Sequence, residues 1–430
     1  MSEPLRVGVA GLGTVGGGVL QLLSRHGALI GHRCGREIRV TAVSARHKGR
    51  DRGIALDGIV WHDDAMALAS DANVDVVVEL IGGADGIAAE LVEAALNAGK
   101  SVVTGNKALI ARHGPRLAAL AEKRGVALRF EAAVAGGIPI VKALSEGLAG
   151  NSLSRIYGIL NGTCNYILTE MEYTGRAFGD VLAEAQQLGY AEADPSFDVD
   201  GIDTAHKLAI LASVAFGTPL DFESIFIEGI RQVTPLDIEF AAELGYRIKL
   251  IGIATHGEKG LLQRVHPCLV AADKAIAAVN GVFNAVVAEG DFVGQTVYQG
   301  RGAGAGPTAS AVAADLIDIA QGHVHAVLSP PVSGAGKTRN LTMDGNEGRY
   351  YVRLSVDDQP GVIAEIAAAL RDESVSMEEL LQRPNGSGQP VSFVMTTHEV
   401  TEAKMMRALA RIAKLPFIAE KPEVIRIETF

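Results

Sequence analysis

Two stretches of this 430-residue sequence carry residue types whose spacing could do chemistry. The first is Gly11-Leu12-Gly13-Thr14-Val15-Gly16, a GxGxxG run. It follows a short apolar stretch, Leu5 to Ala10, and precedes a helical pattern through Leu23. Gly11 permits a tight turn, Gly13 lets backbone approach a pyrophosphate, and Gly16 lets helix pack on strand. Free N–H groups at the helix start, around Thr14 and Val15, would then face phosphate together with the positive end of the helix dipole. Strand before and helix after distinguish a dinucleotide cradle from a Gly-rich structural turn. The second stretch runs from Leu188 to Lys207 and places Glu192, Asp194, Asp198, Asp200 and Asp203 ahead of or within a strongly apolar helix, Ile202 to Phe216. Asp203 and Lys207 are spaced i, i+4 and share a helix face. Burial lowers a lysine pKa and a carboxylate raises it, so such an amine can be tuned for proton transfer. The alternative is an ordinary ion pair beside a solvated acidic loop. A calcium loop does not fit, because the aspartate spacing departs from the EF-hand pattern and no Glu stands at its last position.

The second strand, Glu37 to Ser44, ends without the Asp or Glu that commonly holds ribose hydroxyls. Arg46 and Lys48 follow instead, which suits a ribose 2′-phosphate and predicts NADP over NAD. The alternative is a solvated basic loop tip. Cys34, Cys164 and Cys268 are far apart with no CxxC partner, so neither a disulfide framework nor a zinc cluster is expected, and a reducing compartment fits. A nucleophilic Cys164 would need a base. No His lies in its local motif, so a small buried cysteine is the simpler role; His206 is the nearest candidate in kind. The other histidines show no HExxH-like spacing.

These residues need a frame. Val74 to Ile81, Ile87 to Asn97, Ser101 to Thr104, Ala108 to Arg124 and Ala127 to Val134 continue a strand–helix alternation. That alternation predicts an α/β fold with a Rossmann-type parallel sheet over 1–138. From Pro139 the patterns lengthen, with strands at Ser154 to Leu160 and Ile248 to Ala254, and an α+β domain is expected over 139–327. Residues 328–348 are polar and rich in Gly, Pro and Ser, which reads as a linker. Residues 349–430 read as βαββαβ: Tyr350 to Val356, Val362 to Arg371, Ser376 to Gln382, Val391 to Thr397, Glu402 to Ala413 and Val424 to Ile427. A formal net charge of -11 argues against nonspecific nucleic-acid binding. With no signal-like leader and no apolar run of spanning length, no membrane role and a cytoplasmic location are expected.

Several segments together resemble homoserine dehydrogenases: GLGTVGGGV (11–19), TGNKALI (104–110), EAAVAGGIPI (131–140), LNGTCNYIL (160–168), LGYAEADPSFDVDGIDTAHKLAIL (188–211) and GRGAGAGPTASAV (300–312). The tail, with Asp357, Asp358 and Gly361 at its first strand–helix turn, resembles a ferredoxin-like ACT domain, a small amino-acid sensor. The resemblance implies NAD(P)-dependent interconversion of L-homoserine and L-aspartate 4-semialdehyde. By position it implies that Lys207 is the proton donor and acceptor, that Asp203 neighbours it at the substrate, and that Asp198 lies near the hydroxyl. It places Glu192 and the backbone at Gly189 in the amino-acid-binding part. It further implies that Lys107 reaches both cofactor and substrate and that Gly302 and Gly304 form a second cofactor contact. Glu131, Val134, Gly136 and Ile138 match positions that hold a monovalent cation, usually sodium, largely through carbonyls; the alternative is a Gly-rich turn. Feedback by L-threonine and a homodimer or homotetramer complete what it implies, the alternative being a tail used only for assembly.

Overall fold

The computed structural model describes residues 3–324, 338–383 and 390–430. Its first sheet is parallel, in the order β3-β2-β1-β4-β5-β6. The strands are β1 (Leu5–Ala10), β2 (Ile38–Ser44), β3 (Val60–His62), β4 (Val76–Glu79), β5 (Ser101–Thr104) and β6 (Leu128–Arg129). Helices α1 (Thr14–Cys34), α2 (Ala67–Ser70), α3 (Ile87–Asn97) and α4 (Lys107–Arg124) connect them. Helices on both faces explain why β1 and β4 are almost wholly apolar. The strand order reverses at β1, which has β2 on one side and β4 on the other, and ligands bind at the carboxyl ends beside such a reversal.

Two elements depart from expectation. Helix α1 runs past Leu23 to Cys34, because Gly27 and Gly31 weaken a helix without ending it; Gly35, at φ 71°, stops it. The strand expected over Ala127–Val134 is only β6, followed by a 3₁₀ turn at Glu131–Ala133. The Glu131 amide donates to the Asp315 carboxylate (2.9 Å) and so leaves the ladder.

A second sheet follows the order β12-β11-β7-β9-β10-β17-β13-β15-β14. Its first part comprises β7 (Leu153–Ile159), β9 (Tyr246–Gly257), β10 (Gly260–Ala271), β11 (Phe283–Gly290) and β12 (Gly294–Arg301). The short β8 (Phe226–Ile227) pairs with β10. Helices α5 (Ile140–Lys142), α6 (Gly162–Thr174), α7 (Phe178–Gln187), α8 (Ser196–Val199), α9 (Ile202–Phe216) and α10 (Pro235–Glu243) complete this region. The next helix, α11 (Ala305–Ala320), returns to the first sheet, and its Ala309, Val312, Leu316 and Ile319 join that core. Gly18 of α1 has no room for a side chain, since a Cβ would lie 2.6 Å from the Ala305 carbonyl.

The βαββαβ tail is present as β13 (Glu347–Val356), α12 (Val362–Asp372), β14 (Met377–Arg383), β15 (Val391–Thr397), α13 (Glu402–Ile412) and β17 (Glu423–Glu428), with β16 (Val400–Thr401) beside β13. It is not a separate bead. Strand β17 pairs antiparallel with β13 and parallel with β10, Cys268 opposite Arg426, so one sheet runs through both units. The expected linker lies partly outside the described residues. Its described part is tied down, with Asn340 bridging Leu261 and β13 already begun at Glu347. No helix among the described residues is long and apolar enough to cross a membrane.

Candidate active site

Helix α9 is buried nearly from end to end, and two of its buried residues, Asp203 (2% exposed) and Lys207 (9%), are charged. The Lys207 ammonium donates to Asp203 Oδ2 (2.8 Å) and to the Leu160 carbonyl (2.7 Å). An ammonium has three donors, so one remains. Lys107 Nζ lies 2.6 Å from the other Asp203 oxygen. It is the first residue of α4, whose N-cap, Asn106, accepts from Leu109 N–H and donates to the Gly83 carbonyl. Asn161, the N-cap of α6, donates from one amide nitrogen to Asp203 Oδ2 (2.7 Å) and Asp198 Oδ1 (2.8 Å). Four helices thus bring Lys107, Asn161, Asp198, Asp203 and Lys207 together.

Burial pushes the Lys207 pKa below the usual lysine range, opposed by Asp203 and aided by Lys107. Burial alone would raise Asp203, but Lys207 and Lys107 together hold its carboxyl well below the usual range. Asp198 moves up, through burial and then the Asp203 charge. The site therefore combines a carboxylate held in its charged form by two lysines, an amine shifted toward its neutral form and a second carboxylate shifted upward.

Gly189 (φ 75°) and Glu192 lie on the exposed loop after α7. That loop is anchored by Thr163 Oγ1 donating to the Tyr190 carbonyl and by Gln186 donating to the Glu192 carbonyl. The Glu192 carboxylate has no recorded contact with the lysine cluster among the described residues.

The glycine turn fits a dinucleotide. A Cβ on Gly11 (φ 95°) would lie 2.5 Å from the Leu80 carbonyl, and one on Gly16 would overlap the Gly11 carbonyl. Gly13 has nothing within 4 Å, leaving open space where phosphate would approach the Thr14–Val15 end of α1. Arg46 and Lys48 are exposed. Arg52, which spacing did not single out, donates to the Leu12 carbonyl (3.1 Å) and stacks over Trp61, tying the basic loop to the turn. Glu79 was also not legible. Buried at the end of β4, it accepts from Thr104 Oγ1 (2.6 Å) and from the Ile81 and Gly82 amides, which orders the crevice.

Gly302 and Gly304 precede α11, and Gly304 (φ 118°) is its N-cap. A Cβ on Gly302 would overlap the Asn284 carboxamide, both of whose polar atoms are buried without a protein partner. The Gly302 carbonyl in turn abuts Gly136. Ala135 (φ 54°) and Gly136 (φ 45°) form a left-handed turn, and the carbonyls of Val134 and Gly136 accept no recorded hydrogen bond from the described residues. The Ile138 carbonyl accepts from Ile140 N–H (2.7 Å). The Glu131 carboxylate accepts from the Val141 and Lys142 amides, and burial pushes it up to about 7. Free carbonyls at Val134 and Gly136 suit a weakly held monovalent cation, whereas those of Glu131 and Ile138 already accept from Val134 N–H (3.4 Å) and Ile140 N–H (2.7 Å).

In the tail, Asp358 and Gly361 (φ 99°) line a cavity of about 470 Å³ with Val356, Ile363, Gln382 and Phe393. Asp357 does not line it; its N–H donates to the Phe417 carbonyl.

Cys164 is fully buried, its thiol donates to the Asp198 carbonyl (3.2 Å), and burial pushes its pKa well up. His206 packs between Phe197 and Phe222 and has no recorded contact with Cys164. A thiol in this state is a poor nucleophile. Cys164→Ser is expected to keep kcat within about twofold of wild type in steady-state assays, because it retains the hydrogen bond; a loss of several orders of magnitude would make the sulfur a reactant. Elsewhere, His266, Cys268 and Glu428 cluster. The thiol lies 3.3 Å from Nδ1, which also meets the Pro267 carbonyl (3.0 Å), while the Glu428 carboxylate, held by Arg264 (2.9 Å), stands 3.5 Å from an Nε2 that has no hydrogen-bond partner among the described residues.

Comparison with known proteins gives the same answer along the whole chain. The homoserine dehydrogenase family model matches residues 139–317, the model of the homoserine dehydrogenase NAD binding domain matches 11–131, and the ACT domain model matches 350–417. The homoserine dehydrogenase of Pseudomonas aeruginosa is 45% identical over 437 residues, spanning 99% of both chains. That of Neisseria gonorrhoeae is 45% identical over 434 residues, with the same coverage. A crystal structure of the enzyme from Thiobacillus denitrificans superposes with a TM-score of 0.93 at 46% identity, covering 99% of this chain and 98% of that one. A hyperthermophilic archaeal homoserine dehydrogenase in complex with NADPH matches with a TM-score of 0.63 at 29% identity, covering 73% of this chain and 97% of that one. A buried lysine–aspartate pair and a glycine turn at a strand–helix junction, within segments alike from end to end, place this chain in the homoserine dehydrogenase family, in its form with an ACT domain.

Proposed function

We propose that the chain interconverts L-homoserine and L-aspartate 4-semialdehyde with NADP as the preferred cofactor, and that Lys207 is its general acid and base. What carries this reading is the Lys207 amine: it is buried, it is shifted toward its neutral form, and two of its three ammonium donors are occupied by Asp203 and Leu160. The chemistry that a bound nicotinamide supplies is hydride transfer in either direction. In alcohol oxidation neutral Lys207 takes the hydroxyl proton; in aldehyde reduction its ammonium returns a proton to the carbonyl oxygen. Asp203 holds the amine in place. Asp198, with one oxygen on Asn161 and no recorded donor on the other among the described residues, orients the hydroxyl. Lys107 spans cofactor and substrate, and Glu192 with the Gly189 backbone receives the amino-acid end. Gly11, Gly13, Thr14, Val15 and Gly16 hold the pyrophosphate, Gly302 and Gly304 the nicotinamide side, and Arg46 and Lys48 the 2′-phosphate. The carbonyls of Glu131, Val134, Gly136 and Ile138 hold a monovalent cation. Domains follow the bounds 1–138, 139–327 and 349–430, with 328–348 between the last two, save that α11 packs with the first domain and β13 opens the tail at Glu347. The cavity beside Asp358 and Gly361, with Asp357 in the same turn, takes L-threonine as effector. A homodimer or homotetramer in the cytoplasm completes the proposal.

One assay tests the reaction and the cofactor together. Purified protein should oxidise NADPH with L-aspartate 4-semialdehyde and not with propanal. It should use NADH less well, and Arg46→Ala/Lys48→Ala should raise the NADPH KM by about tenfold while leaving that for NADH unchanged. No turnover with the semialdehyde rejects the reaction; equal use of NADH rejects the 2′-phosphate role.

A further inference from the structure

The turn joining α8 to α9, residues 199–201, carries Asp198 on one side and Asp203 and Lys207 on the other. Its outer neighbour is the segment 226–231. A Cβ on Gly229 would overlap the Val199 carbonyl, and one on Gly201 would press on Ile227 and Val265 (both 3.2 Å). The Ile230 N–H donates to the Val199 carbonyl (2.9 Å). Arg231 pairs with Asp200 (2.5 Å) and donates to Ser196 Oγ (3.0 Å). The catalytic turn is thus backed along its length by one strip of chain.

The other side of that strip is held by the tail. Arg426 of β17 donates to the Glu228 carboxylate (2.9 Å) and lies over the Phe226 ring. The same guanidinium is fixed from behind by Glu402 of α13. Strand β8 and the Glu228 amide also pair with β10, the strand that β17 borders. An unbroken series of ion pairs, hydrogen bonds and close contacts therefore runs from the tail's α13 to the catalytic turn.

We propose that Glu228 and Arg426 are positioning residues for Asp198. The tail holds the strip 226–231 through this ion pair, and the strip sets where the turn places Asp198 relative to Lys207. The inference rests on the roles given above to Asp198 and Lys207. Its chemistry is directional. Lys207 is faced by Asp203 on its own helix, Lys107 from α4 and Asp198 from α8, and both carboxylates favour its ammonium form. A turn released from its backing carries Asp198 away, and Lys207 then deprotonates more readily.

The test is Glu228→Gln, which keeps shape, removes the charge and leaves the Arg426–Glu402 pair intact. Steady-state oxidation of L-homoserine with NADP across pH should show kcat lowered about three- to tenfold and the homoserine KM raised. The ascending pH limb should move to lower pH, while the NADP KM and the melting temperature stay close to wild type. Unchanged kcat, KM and limb, or a loss of kcat with the limb unmoved, overturns the inference. Asp198→Asn, run alongside, separates the two failures. If it is slow while Glu228→Gln is normal, the strip has no positioning role and the site stands; if Asp198→Asn is itself normal, the site reading fails and the inference with it.

Discussion

Lys207→Ala is expected to lower kcat by at least ~100-fold in both directions, with the cofactor KM little changed. The amine holds the donor left over after Asp203 and the Leu160 carbonyl are satisfied, and the described residues place no other proton carrier on Asp203 except Lys107. Lys107 is a third exposed at its side chain and is held on the other Asp203 oxygen at 2.6 Å. The pH dependence carries a sign. Burial lowers the Lys207 pKa, so in wild type the oxidation rate should rise with pH along a limb lying below the ordinary lysine range, and the reduction rate should fall along the same limb. In Lys207→Ala both limbs should vanish. Turnover near wild type, or a surviving limb, would remove Lys207 from the proton path.

The second large effect is expected at Asp203. Asp203→Asn leaves Lys207, buried, and Lys107, a third exposed, facing each other across a neutral amide at a position 2% exposed. Breaking a buried pair by neutralising one partner costs about 3–5 kcal/mol, because the remaining charge stays unpaired. Here the cheaper response is for Lys207 to shed its proton. Asp203→Asn should therefore lose about 100- to 1,000-fold in aldehyde reduction, which needs the ammonium, and fall less in alcohol oxidation, which needs the amine. The direction-dependent loss distinguishes a charge effect from misfolding, which would depress both rates alike. Equal losses in the two directions, with melting unchanged, would assign Asp203 to substrate binding alone.

Much of this site could be read before the fold was known, and the reasons are local. GxGxxG declares itself because a bound phosphate demands glycines at fixed offsets after a strand. Asp203 and Lys207 declare themselves because i, i+4 spacing on an apolar helix leaves few explanations for two charges. Asn161 was not legible, since an asparagine before a helix is ordinarily just its cap; here the cap's own nitrogen also serves Asp198 and Asp203, which only the fold brings near. Glu79 was hidden in an apolar strand for the same reason. Lys249 shows how far a buried lysine can mislead. It is fully buried on β9, its ammonium is caged by the Val279 carbonyl and the side chains of Asn280 and Asn165, and burial lowers it to about 8. Neither periodicity nor charge separates it from Lys207; what does is that its cage is made wholly of neutral oxygens, while the one carboxylate that raises it, Glu172, is paired with Arg247 and makes no hydrogen bond to it. The continuity of the second sheet was likewise out of reach, since parallel pairing of β10 with β17 joins strands far apart in sequence and the polar stretch between them suggested two independent bodies.

That seam constrains how the chain is made. The free edge of β10 finds its partner only when residues from Glu423 onward have been synthesised, because Cys268, Leu269 and Val270 pair with Arg426, Ile427 and Glu428. A nascent chain with its cofactor half already folded must keep an apolar strand edge waiting on the ribosome, exposed to pairing with neighbours. Slow decoding between the two strands would prolong that wait, so the price of a shared sheet falls on chaperones during translation.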